Sequence, residues 1–158
     1  MRAFSVAAMI GVLSVSVSSS AQGVVDQVIV RFEGEIITRL DVRQARMLKL
    51  VDAAGDSDQA YVDALVNRRL ILADIKRTPP PDPSPGDIES RRQQWPQRVG
   101  AGGNFDDLLA RAGMSDASLR GWIRDDLRVQ AYLSTRFADR SAERDSWISM
   151  LRQRAGMK

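Results

Sequence analysis

The stretch that decides the fold reads Asp26-Gln-Val-Ile-Val-Arg-Phe-Glu-Gly-Glu-Ile-Ile-Thr-Arg-Leu-Asp-Val42. Val28, Val30 and Phe32 alternate with Ile29, Arg31 and Glu33, a period of two that predicts a strand. Gly34 supplies a turn and Glu35-Ile36-Ile37 returns as a second short strand, so the pair reads as a β-hairpin. Thr38 stands three residues before Asp41, a capping-box start in which the hydroxyl accepts a helix N–H and the carboxylate sits in the first turn.

From there onward the period changes to that of helices. Leu40, Ala45, Met47, Leu48 and Val51 predict a first helix reaching about Ala53, stopped by Gly55. A second helix is expected from Asp56 or Ser57 to Arg77, with Tyr61, Val62, Leu65, Val66, Leu72 and Ala73 on one face. Thr78-Pro-Pro-Pro-Asp-Pro-Ser84 is a stiff connector, and Ser84-Pro85 is a cap followed by a proline at the first helical position. The third helix, strongly polar with only Ile88 and Trp95 offering much to bury, is expected to end near Gln94, before Pro96 and the Gly100-Ala-Gly-Gly103 run. Asn104 is placed to cap a short helix carrying Phe105, Leu108 and Leu109 and ending at Gly113. Ser115 caps the longest helix, with Met114 and Leu119 as a hydrophobic staple and Leu119, Trp122, Ile123, Leu127, Val129, Leu133 and Phe137 as its apolar members. A last amphipathic segment, Ser141 to Ala155, carries Trp147, Ile148 and Leu151. The fold class expected is therefore mostly α, with a short N-terminal hairpin.

Upstream of the hairpin, Arg2 precedes an apolar run from Val6 to Val17, and Ser19-Ser20-Ala21 follows. That is the pattern of a secretory signal, with an apolar core shorter than the roughly 20 residues a bilayer span needs. Residues 1–21 are expected to be a signal peptide cleaved after Ala21. The mature protein is then periplasmic or secreted, with no stable membrane span; an uncleaved N-terminal anchor is the competing reading.

The chain contains no cysteine and no histidine. Disulfides, Cys/His zinc sites and serine–histidine or cysteine–histidine nucleophile systems are thereby excluded, and stability must come from the core. Paired carboxylates could still act as acid and base, but their spacing does not suggest it. Nothing implies a cofactor or metal. Lys and Arg number 23 against 20 Asp and Glu, dispersed through amphipathic segments, which is the pattern of solvated helix faces rather than of a nucleic-acid partner.

The order of these elements resembles the SurA-type periplasmic chaperones. The resemblance rests on Val28-Ile-Val-x-Phe-x-Gly-Glu-Ile-Ile-Thr-x-x-Asp-Val42 and on Asp63-Ala-Leu-Val-Asn-Arg-Arg-Leu-Ile-Leu-Ala-Asp-Ile-Lys-Arg77. It continues through Phe105-x-x-Leu-Leu-Ala-Arg-Ala-Gly-Met-Ser115 and Leu119-Arg-Gly-Trp-Ile-Arg-Asp-Asp-Leu-Arg-Val-Gln130. It implies a SurA-N-like helical chaperone domain over 22–137 and a C-terminal helix over 138–158 that packs back on it. Where the family usually inserts a parvulin-type prolyl isomerase, only Ala138-Asp139-Arg140 stands. The hairpin has Glu33-Gly34 where Asn-Gly is common, and the third-helix region is unusually rich in Pro and Gly.

The function implied is a non-enzymatic holdase for unfolded or extended envelope polypeptides. A dedicated interaction subunit for one exported partner is the alternative, and a prolyl isomerase would need a further module. Such a holdase site requires exposed apolar and aromatic groups in a polar frame. Trp95, Phe105, Trp122 and Tyr132 are the candidate client contacts, each with a core placement as the competing reading. Arg69, in the apolar stripe of the second helix, and Asp126, in that of the longest, are expected to face each other as a buried ion pair, unless both reach solvent.

Overall fold

The expected hairpin forms, with an irregularity in its pairing between Val28 and Val30. In the computed structural model, which describes residues 26–157, β1 (Val28–Phe32) pairs antiparallel with β2 (Glu35–Thr38). Phe32 pairs with Glu35, leaving a two-residue turn in which Glu33 and Gly34 have φ of 45° and 81°. Both angles are positive, the geometry whose twist matches paired strands, and one that glutamate adopts less readily than asparagine. Phe32 and Ile37 face the core, while Ile29 and Ile36 stay exposed on the outer face. The signal-peptide reading concerns residues outside the described range.

The capping box is present at the start of α1 (Arg39–Met47): Asp41 N–H donates to the Thr38 hydroxyl at 3.2 Å, and Thr38 N–H donates to the Asp41 carboxylate at 2.8 Å. The helix stops six residues short of the expected Ala53. Lys49 takes a φ of 47°, Lys49 N–H donates to Arg46 C=O, and Leu50 N–H donates to Ala45 C=O at 3.0 Å. This is a left-handed stop without glycine, and it turns both Leu48 and Leu50 into the core. The reversed chain leaves carbonyls without helical partners. Trp95 indole N–H donates to Leu48 C=O at 2.9 Å, and Trp122 indole N–H donates to Leu50 C=O at 3.2 Å. Two tryptophans thus satisfy the corner, which explains how the left-handed backbone at Lys49 is held.

The second helix, α2 (Asp58–Ile75), is the centre of the molecule and packs against β2, α1, α5 and α6. Its buried residues, Val62, Leu65, Val66, Arg68, Leu70, Ile71 and Ile75, are not confined to one stripe. A helix apolar on several sides is one enclosed on several sides. Leu70 and Ile71, absent from the expected face, are as buried as those on it.

Beyond the proline connector, α3 (Pro85–Val99) opens on a Ser84–Asp87 capping box and runs through Pro96, past the expected end at Gln94. Pro96 can give no N–H to the preceding turn, yet the helix needs only one more turn before Gly100 ends it at φ 71°. Trp95, immediately before it, is buried and anchors that turn. A 3-10 turn (Gly102–Asn104) leads to α4 (Phe105–Ala112), where Asn104 occupies the cap position without the expected side-chain hydrogen bond. Ser115 does cap α5 (Asp116–Phe137), accepting from Ser118 N–H at 3.1 Å. The closing helix, α6 (Ser141–Arg154), lies against α2 and α5, with Trp147 and Leu151 buried and the Trp147 ring 5.2 Å from that of Phe137. The described residues thus form six α-helices with a two-stranded hairpin at the N-terminal end.

Candidate functional site

Adjacent arginines on α2 point about 100° apart, and this single step separates their roles. Arg69 faces the hairpin, donating to Glu35 at 2.8 Å with Asp41 at 3.6 Å. It does not meet Asp126, so the expected Arg69–Asp126 pair does not exist. The residue directed at α5 is its neighbour. Arg68 is 8% exposed, donates one Nη to the Trp122 carbonyl at 3.1 Å and lays its guanidinium 3.6 Å from the centre of the Trp122 ring.

Arg68 makes no ion pair among the described residues, and its buried Nε has no hydrogen-bond partner. Burial pulls its pKa down to about 10, against the attraction of Asp126 and Asp125. Even so it stays protonated at neutral pH. Burial likewise pushes the Asp126 carboxyl above its usual range, opposed chiefly by Arg68. Asp126 accepts a hydrogen bond from Gln130 on its own helix at 2.9 Å. The two groups attract without touching, which differs from the close pair the stripes suggested.

A cleft of about 320 Å³ opens beside Trp122, between α2 and α5 and under the start of β2. Half-buried Leu72 and Trp122 supply its apolar surface, backed by the buried Leu65 and Ile75. Arg68, Arg69, Lys76 and Arg128 supply four cations, against the carboxylates of Glu35 and Asp125. Asp125 is already engaged by Arg124 at 3.3 Å, and Glu35 by Arg69. Arg128 reaches to 3.4 Å from the exposed Asp82, but its buried Nε lacks hydrogen-bond geometry to any acceptor. A second cleft on the other side of Arg68, about 430 Å³, is balanced: Arg68, Arg98 and Arg144 are matched by Asp52, Asp126 and Asp145. The Trp122 cleft alone of these two has a cationic surplus over an apolar floor.

Of the four aromatic residues singled out in the sequence, the structure brings only Trp122 to this cleft, where it is half-buried. Trp95 and Phe105 are 1% and 5% exposed and belong to the core, so neither ring is accessible to a client in this conformation. For Trp95 the adjacent Pro96 concealed this, because it suggested that the helix had already ended; Phe105 lies, as expected, on the short helix with Leu108 and Leu109. Tyr132 is half-buried between α2 and α6; its hydroxyl donates to Asp74 at 2.9 Å and accepts from Arg136 at 2.7 Å. Burial and the Asp74 carboxylate raise its pKa. Arg68 and Arg128 escaped the sequence reading; the available signal was the Arg-Arg pair inside an otherwise apolar helix.

Among the described residues no cluster of three or more acidic side chains is placed to hold a metal ion, and no helix is long and apolar enough to cross a membrane. Comparison of the chain with family models, with curated proteins and with solved structures finds no match.

Proposed function

We propose that the protein is a non-enzymatic, SurA-like holdase that binds extended stretches of exported polypeptides outside the cytoplasm. The observation that carries this reading is the open cleft along α2, with an apolar floor of half-buried Leu72 and Trp122 inside a rim of charged side chains. Its volume accommodates one or two client side chains rather than an enclosed small molecule. Apolar burial supplies the affinity, and few directional hydrogen bonds are demanded of the client. The signal-like pattern of residues 1–21 supports a role among envelope proteins in transit.

The mature protein should suppress aggregation of several unrelated unfolded outer-membrane proteins at low molar excess, followed by light scattering. Leu72→Asn, which spares the Trp122 hydrogen bond to Leu50, should weaken that protection while the protein remains folded. Protection of no client, together with tight capture of one folded envelope protein, would replace the holdase with a dedicated interaction subunit.

A further inference from the structure

We infer that the Trp122 cleft selects extended segments in which an acidic side chain adjoins an apolar or aromatic one. The inference rests on the proposed polypeptide-binding role and names what that site prefers. From Leu65 to Lys76 the cleft follows three turns of α2, about 16 Å at the helical rise, which is the reach of about five extended residues. A chain lying along it passes the apolar floor and Arg68 near one end and Lys76 at the other, with Arg128 opposite on α5.

The charge of this surface is not satisfied from within. Of its four cations, Arg69 is paired with Glu35 and Asp41 and Arg128 lies 3.4 Å from Asp82, while Asp125 is taken by Arg124; Arg68 and Lys76 are left without an ion pair among the described residues. Arg68 is more than nine-tenths buried, carries an orphaned Nε and has no ion pair among the described residues. A buried, unpaired guanidinium is costly, and a carboxylate brought to the cleft relieves that cost. The planar cation already stacked on Trp122 is held in one orientation, so less freedom is lost when an acid docks. An aromatic or aliphatic neighbour of that acid then covers Leu72 and the exposed edge of Trp122. The matched second cleft offers no such preference.

The test uses the full mature protein and fluorescein-labelled peptides of one apolar sequence, read by anisotropy at low and high salt. One peptide carries a central Glu, one a central Gln, and each is made with a free and an amidated C-terminus. The Glu peptides should bind about tenfold more tightly than the Gln peptides, whatever the C-terminus, with the difference collapsing in 0.5 M salt. Arg68→Met keeps the side-chain volume and should remove most of the preference; Lys76→Gln with Arg128→Gln, both on the rim, should narrow it to about twofold. Equal binding of Glu and Gln peptides overturns the inference and leaves the holdase reading standing. A preference that follows the free C-terminus instead overturns it in favour of chain-end recognition. Binding of no peptide removes the proposed function and this inference together.

Discussion

α5 is held on two sides by arginine, and the two sides differ in how the charge is settled. Against α3, Arg92 and Arg120 donate to Asp116, and Arg120 also to Glu89, while the Arg92 guanidinium lies 4.7 Å from the Phe105 ring. Two cations meet two carboxylates, and the surface is closed. Against α2, Arg68 lies over Trp122 in the same manner, 3.6 Å from the ring centre, but with no carboxylate in contact. A stacked arginine with its acid is a clamp. The same arrangement without the acid is a clamp with one place vacant, and it borders the only one of the two Arg68 clefts whose charge is unbalanced.

The comparison breaks first on stability. Phe105→Ala should cost about 3–5 kcal/mol in urea denaturation, because the ring under Arg92 is core rather than binding surface. A loss under about 1 kcal/mol would mean that the α3–α5 side is not closed as described.

Next come the two arginines, whose replacement should act with opposite sign. Arg92→Met should destabilise by about 1–2 kcal/mol, since it withdraws a charge-assisted donor from Asp116. Arg68→Met should be neutral or stabilising by about 1–2 kcal/mol, since an apolar side chain of similar length replaces a buried cation that lacks a carboxylate partner. Destabilisation by both would erase the distinction between the two sides.

The smallest effect is in pH. Arg120 holds both Asp116 and Glu89 below the usual carboxylate range, with help from Arg92 at Asp116 and from Gln93 at Glu89. A depressed acid contributes stability above its unfolded pKa of about 4 and loses it as pH falls through the lower folded value. Burial of Asp126 acts oppositely: its folded pKa is raised, so protonation in mild acid relieves a cost that is present at neutral pH. Asp116→Asn should therefore lower Tm by about 2–4 °C at pH 7 and converge on the parent protein as pH falls through the lowered folded pKa of Asp116. A constant offset across that range would assign the effect to packing instead of charge.

Much of the fold was legible in the chain. Thr38 with Asp41, Ser84 with Asp87, and Ser115 are local signals that satisfy helix N–H groups within three residues, and they need no tertiary partner to be read. The alternation around Val30 and the Gly34 turn are equally local. The misread boundaries are those where a distant group decided. α1 stops at Met47 because Leu48 and Leu50 enter the core while Trp95 and Trp122 accept the charge-free task of satisfying their carbonyls. α3 survives Pro96 because that same buried Trp95 holds its last turn.

The site was less legible. Trp122 could be proposed from the sequence, but its companions could not. By itself the sequence determined the helical class, the hairpin, the Thr38, Ser84 and Ser115 caps and the absence of histidine and cysteine chemistry, since each depends on neighbours along the chain or on composition. Only the tertiary structure decided which of Arg68 and Arg69 would be buried and what each would face. The two are adjacent in sequence, and α2 is enclosed on several sides, so no single apolar stripe distinguishes them. The packing of α5 and of the hairpin against α2 sets their surroundings: Arg69 meets Glu35 and Asp41, and Arg68 meets an indole ring and no acid.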